Sequence, residues 1–95
     1  MEVICTVINQ GPVVVRELQD GSKFASRIVT IKSGGDVLAC EAVQETARNM
    51  GDLTLGKALY SAQLVLKIRS YKDSNGQDRV VQQVMLSKIN EILTL

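Results

Sequence analysis

Three side chains near the end of one apolar stretch have the types and the spacing to hold unpaired nucleic-acid bases. Lys67, Arg69 and Tyr71 occupy alternate positions, and alternate residues of a β-strand lie on the same side of a sheet. A basic groove follows the phosphates of a single strand, while an aromatic ring stacks on its bases. The pattern therefore predicts a binding face, although a solvated strand face with ordinary charges is the alternative interpretation.

Further basic residues lie where they can extend that face. Lys72 comes directly after Tyr71 and is predicted to be a flexible phosphate contact in a loop. Arg79 either contacts phosphate or pairs with an aspartate and fixes the loop, and the second role is slightly favoured. Arg27 and Lys32 differ by five positions, so they cannot share a face of a regular strand. Of these two, Arg27 is predicted to join the groove.

Other kinds of chemistry find no support in the sequence. The chain contains no histidine, and its two cysteines, Cys5 and Cys40, sit in apolar runs that favour buried, reduced thiols. Without a histidine or paired cysteine spacing, neither a metal site nor an activated nucleophile is expected. The Gly34-Gly35 pair reads as a turn, because no Lys-Ser or Lys-Thr follows it to make a phosphate-cradling loop. The sequence predicts a protein that is not an enzyme and uses no cofactor.

Charge and aromatic content limit how nucleic acid could be held. The chain has eleven Lys and Arg residues and ten Asp and Glu residues, which gives a net charge of +1. Binding must therefore come from a local basic face, because global charge does not supply it. Phe24, Tyr60 and Tyr71 are the only aromatic residues. Phe24 and Tyr60 are expected in the core or at its rim, so Tyr71 is the one candidate for stacking.

The apolar patterns predict five strands and one helix. Alternation and turn signals place strands at 1–9, 24–32, 37–40, 58–71 and 79–87, with an extended segment at 13–15. Apolar residues at helical spacing after 42 predict a helix of two to three turns that ends at Gly51. Residues 89–95 fit a strand extension or a helical turn. Three strands, a helix and two strands predict an all-β, five-stranded OB-fold barrel with the helix between strands 3 and 4, and residues 1–95 form one such domain.

Three segments resemble the bacterial single-stranded-DNA-binding protein family. They are Val7–Ile28, Val37–Met50 and, most specifically, Leu66–Arg79, which ends in Gly76-Gln77-Asp78-Arg79. Tyr71 falls where the family often has a base-stacking tryptophan. The other stacking aromatics have no clear counterparts, and the chain stops at Leu95 with no acidic tail. In length it is similar to a small, tail-less relative, the primosomal replication protein of the same fold.

The resemblance implies non-catalytic binding of single-stranded DNA in replication or recombination, by a dimer or tetramer. The first strand is apolar on both faces, which also favours a homo-oligomer. The rival hypothesis is an OB-fold protein-interaction module that binds no nucleic acid. No small-molecule substrate is expected. With no signal peptide and no membrane-spanning run visible, a cytoplasmic protein is expected.

Overall fold

A computed structural model describes residues 1–95 and contains six strands and one helix. In chain order these are β1 Glu2–Gln10, β2 Val14–Glu17, β3 Lys23–Ser33, β4 Asp36–Val43, α1 Gln44–Asn49, β5 Ala58–Lys72 and β6 Asp78–Thr94. The single helix has six residues, and no helix has the length and apolarity needed to span a membrane.

Five of the strands close into a ring. Strand β1 pairs with both β3 and β5, and the order β1-β5-β6-β4-β3 completes the circuit. The junction between β4 and β6 is parallel and consists of the single pair Glu41 and Met85, so the barrel is partly open there. Strand β2 lies outside the ring and pairs only with β3. The helix falls between the third and fourth ring strands, as expected for an OB-fold barrel.

The helix is shorter than the sequence-based prediction, and one alternative that the sequence left open is resolved. Strand β4 continues to Val43, which shortens the predicted two to three turns of helix to the six residues Gln44–Asn49. Residues 89–94, which the sequence left open between strand and helix, continue β6 because they pair along β5. The tight turns are where they were expected: Gly21, Gly34 and Gly76 all have positive φ values, which glycine adopts without steric cost.

The core follows the two-residue period of the ring strands. Val7, Val29, Ile31 and Leu64 point inward and are almost fully buried. Both thiols are free and buried, as predicted. Burial raises the pKa of the Cys5 thiol, and burial together with the nearby Cys5 raises the pKa of Cys40 to about 11.

Beyond Leu64 the β5–β6 hairpin leaves the barrel and projects into solvent. We call residues 65–84 the arm. Every β5 residue after Leu64 is exposed, as is β6 as far as Gln82. The radius of gyration is 15.1 Å, whereas a compact domain of this length has about 12 Å. The arm explains the excess and gives the molecule an elongated outline of 49 × 31 × 18 Å.

Candidate nucleic-acid interface

One side of the arm carries the three residues that the sequence placed on a common face. Strands β5 and β6 pair without a register shift between Leu64 and Lys72, so alternation is kept along the arm. Lys67 lies opposite Gln83, Arg69 opposite Val81, and Tyr71 opposite Arg79. We call this set the basic face; its members are Lys67, Arg69, Tyr71, Arg79, Val81 and Gln83.

Tyr71 is the aromatic side chain that this face offers to a ligand. It is 52% exposed. Tyr71 is one of six residues that border an open groove along the arm; the others are Arg69, Ser70, Val81, Gln82 and Gln83. An exposed ring with Arg69 in the same groove and Arg79 opposite it on β6 is an arrangement that can take a stacked base and its phosphate. The geometry is therefore compatible with the predicted stacking of a base on Tyr71.

Val81 and Gln83 were missed by sequence reasoning, although a signal for them existed. Lys72 and Asp78 form the pair that flanks the Asn75-Gly76 turn. From that pair, counting one residue back along β5 and one forward along β6 gives each of the remaining antiparallel partners. Counting places Val81 opposite Arg69 and completes the face on the second strand.

Arg79 fixes the loop at the tip of the arm, which is the role that the sequence slightly favoured. Its Nε donates to Asp73 Oδ2 at 2.9 Å. The backbone amides of Asn75 and Gln77 donate to Asp73 Oδ1 at 2.9 and 3.0 Å. The bond from Arg79, followed by that from Gln77, lowers the pKa of the Asp73 carboxyl. The Nη groups of Arg79 make no hydrogen bond within the protein, so they are free to meet a ligand beside Tyr71.

Lys72 is not in the loop, contrary to the prediction. It is the last residue of β5 and pairs with Asp78. Because neighbouring residues of a strand point to opposite sides, Lys72 lies on the other side of the arm from Tyr71. The structure therefore separates Lys72 from the basic face.

Arg27 is also separated from the basic face. On β3 it lies between Ala25 and Val29, on the side of the strand that faces the barrel interior. Its Nε and Nη2 donate to the Gly11 carbonyl at 2.9 and 2.8 Å, and its Nη1 donates to the Ala47 carbonyl at 3.4 Å. These bonds tie the β1–β2 connection and the helix to β3. The position of Arg27 supports a structural role and gives no support to its predicted place in the groove.

An acidic side chain borders the basic face where the arm meets the barrel. Gln83 Nε2 donates to Glu41 Oε2 at 2.6 Å, which joins β6 to the outer side of β4. Glu41 is only partly exposed. Its carboxylate places a negative charge at the inner end of a face that is otherwise positive, so phosphates are favoured toward the tip.

The two remaining aromatic rings are occupied within the fold. Tyr60 is 4% exposed and its hydroxyl accepts from the Thr54 amide at 2.8 Å, which confirms the expected core position. Phe24 is half-buried, and the Arg16 guanidinium lies over its ring at 5.0 Å from the centroid. Tyr71 is thus the most exposed ring of the chain.

The closed ring with its helix after the third ring strand defines a small OB-fold protein. Among solved structures, the chain is similar to the small single-stranded DNA-binding protein from Streptomyces coelicolor, with a TM-score of 0.52 and 20% identity. The match covers 98% of this chain and 93% of that one. This likeness confirms the fold expected from the sequence. No protein-family model and no curated protein sequence matches the chain.

Proposed function

We propose that this protein is a non-catalytic module that binds single-stranded DNA through the basic face of its arm, and that it serves replication or recombination. The observation that carries the proposal is the common, exposed position of Lys67, Arg69 and Tyr71, with Arg79 opposite the ring. The similar Streptomyces coelicolor structure is a single-stranded DNA-binding protein, which supports the same class of ligand here.

The composition of the face sets the strength and character of binding. One stacked ring contributes about 1–3 kcal/mol per base, and this face has one ring. Its three cationic residues bind phosphate and release counterions, so affinity falls as salt rises. The result is weak, salt-sensitive binding. Unpaired bases are favoured over duplex, because a base inside a duplex has no free surface for Tyr71 to stack on.

Fluorescence anisotropy with a labelled oligo-dT at low salt tests this proposal. Binding is expected to the single strand and to be much weaker to a duplex of equal length. Lys67→Ala should weaken binding and reduce the slope of log affinity against log salt by about one. Lys57→Ala is the matched control. Lys57 is exposed and lies just before Ala58, the first residue of β5, at the end of that strand farthest from the tip of the arm. It should leave the slope unchanged.

Two results would overturn the proposal. The first is the absence of binding to any single strand at high micromolar protein and low salt, which would favour the rival interaction module. The second is an equal effect of Lys67→Ala and Lys57→Ala, because the binding would then follow net charge instead of the arm.

We further propose a cytoplasmic homo-oligomer. Strand β1 buries Cys5 and Val7 inside the barrel, while Ile4 and Ile8 on its outer side are 50% and 45% exposed. The expected division of this strand into one buried and one exposed apolar side supports self-association. The arm supplies a second apolar surface for it.

A further inference from the structure

The arm has a second side that differs sharply from its basic face. Leu66, Ile68 and Val80 are 55%, 64% and 67% exposed there. We call this side the apolar face; its members are Leu66, Ile68, Ser70, Lys72, Asp78, Val80, Gln82 and Val84, as the pairing of β5 with β6 requires. These residues lie on the same side of β5 and β6 as Leu64 and Leu86, which face the barrel interior. Beyond the barrel, no other strand covers this side, so its apolar side chains are exposed as a strip.

An uncovered strip of this kind indicates a contact surface. A two-stranded ribbon is marginally stable in water by itself, and contiguous exposed apolar side chains on a soluble protein mark interaction sites. Leu66, Ile68 and Val80 share one side of two regular strands, which is the arrangement of a strand face that packs against another sheet.

The distribution of charge identifies the partner. The only charged residues on the apolar face are Lys72 and Asp78, which lie opposite each other at the tip. This face is therefore neutral and can meet a copy of itself without repulsion between like charges. The basic face has three cationic residues and would repel its own copy. A two-fold contact between identical patches needs this kind of self-complementary surface.

We propose that two copies of this chain associate by packing their apolar faces together, arm against arm. The barrel lies on the side to which Leu64 and Leu86 point, so a partner arm must run antiparallel, with its tip toward the barrel. The contact buries Leu66, Ile68 and Val80 from both copies. The two basic faces then lie on opposite outer sides of a four-stranded double layer, and each remains open to a ligand.

The size of the contact sets its strength. Two arms packed over a few residue pairs bury less than the roughly 1,200–2,000 Å² of a standard stable interface. The dimer is therefore expected to be weak and to depend on protein concentration. Sedimentation velocity across a series of protein concentrations, without nucleic acid, is the appropriate measurement.

The decisive variant combines Ile68→Thr with Val80→Thr. Threonine keeps the β-branched shape and strand preference while removing apolar surface. The matched control combines Val14→Thr with Val37→Thr, two valines on β2 and β4 that are each 58% exposed. Ile4→Thr, on the outer side of β1, is a third variant that tests the alternative surface. Circular dichroism and thermal melting establish that each variant is folded. The wild type and the control should dimerise alike. The double variant should remain monomeric at concentrations at least tenfold above those at which the wild type dimerises.

Three results would overturn the proposal. If the wild type is monomeric at the highest attainable concentration, the apolar face does not bind a second copy of the chain. Loss of the dimer in Ile4→Thr but not in the double variant places the interface on β1. Unchanged self-association combined with lost oligonucleotide binding in the double variant assigns the apolar face to nucleic acid. The first two results do not depend on whether the basic face binds DNA, because assembly is measured without nucleic acid.

Discussion

Tyr71 and Arg79 lie directly opposite each other across β5 and β6 at the outer end of the arm. This pairing places the exposed ring and a guanidinium on one side of the ribbon, and Asp73 holds that guanidinium by its Nε alone. A base stacked on Tyr71 would therefore carry its phosphate close to free Nη donors.

Replacing Tyr71 separates stacking from hydrogen bonding. Tyr71→Ala should weaken oligo-dT binding about tenfold, within the ~1–3 kcal/mol attributed to one stacked base. Tyr71→Phe keeps the ring and should bind nearly as the wild type does. Anisotropy titrations of the two variants at the same low salt provide the comparison. Equal losses in both variants would show that the hydroxyl, not the ring, is what the ligand uses.

Removing the charge of Glu41 should strengthen binding. Glu41 lies two strands from Lys67, roughly 10 Å away, which is within about one Debye length at 0.1 M salt. Glu41→Gln should therefore tighten binding several-fold at low salt. Glu2→Gln makes the same change of net charge and alters the same kind of bond, since Gln63 Nε2 donates to Glu2 Oε2 at 2.8 Å on the barrel. Equal tightening by both variants would mean that Glu41 does not border the site.

Arg27 should matter for stability and not for binding. Arg27→Ala leaves the partly buried carbonyls of Gly11 and Ala47 without their donors. Loss of charged hydrogen bonds of this kind costs about 2 kcal/mol of unfolding free energy, measurable by urea denaturation. Arg48→Ala is the control, because its pairing with Glu45 at 3.7 Å is exposed and worth less than ~0.5 kcal/mol. Weaker DNA binding by the folded Arg27 variant would return this residue to the interface.

The tip loop should respond to acid through Asp73. Because its pKa is lowered in the folded chain, the bonds that it accepts are fully present above the pKa of the unfolded carboxyl. They are lost as the pH falls through the folded pKa. Arg79→Ala removes the largest cause of the lowering, so the Asp73 pKa should move up toward its ordinary value in a carboxyl-carbon NMR titration.

Asp20 supplies an internal control for that titration. The side-chain and backbone bonds from Ser22 lower the pKa of Asp20 in a separate turn. Its midpoint should be the same with and without Arg79. If the Asp73 midpoint also stays in place in Arg79→Ala, the ion pair does not organise the loop.

The sequence predicted those parts of the fold that depend on local periodicity and turns. Alternation placed Lys67, Arg69 and Tyr71 on one side of a strand because a strand has a period of two. The loop near Gly76 and the core position of Tyr60 were also predicted, since both follow from local pattern. The order of elements was sufficient to indicate the barrel.

Alternation did not show where the barrel ends and the arm begins. Leu64 and Leu66 follow the same apolar phase, yet Leu64 is buried and Leu66 is 55% exposed. The difference comes from which other strands reach that level of the sheet, and that depends on long-range pairing. Arg27 was misplaced for a similar reason: its carbonyl partners, Gly11 and Ala47, lie 16 and 20 residues away in the chain.

Amide NMR spectra recorded while unlabelled oligo-dT is added to the labelled protein locate the DNA site residue by residue. The largest shifts should fall at Lys67, Arg69, Tyr71, Arg79 and Val81, while signals from the helix and from residues near Arg27 stay in place. Shifts centred on the barrel, with the arm unaffected, would contradict the assignment of the site. The absence of any shift at low salt would contradict the proposed function itself.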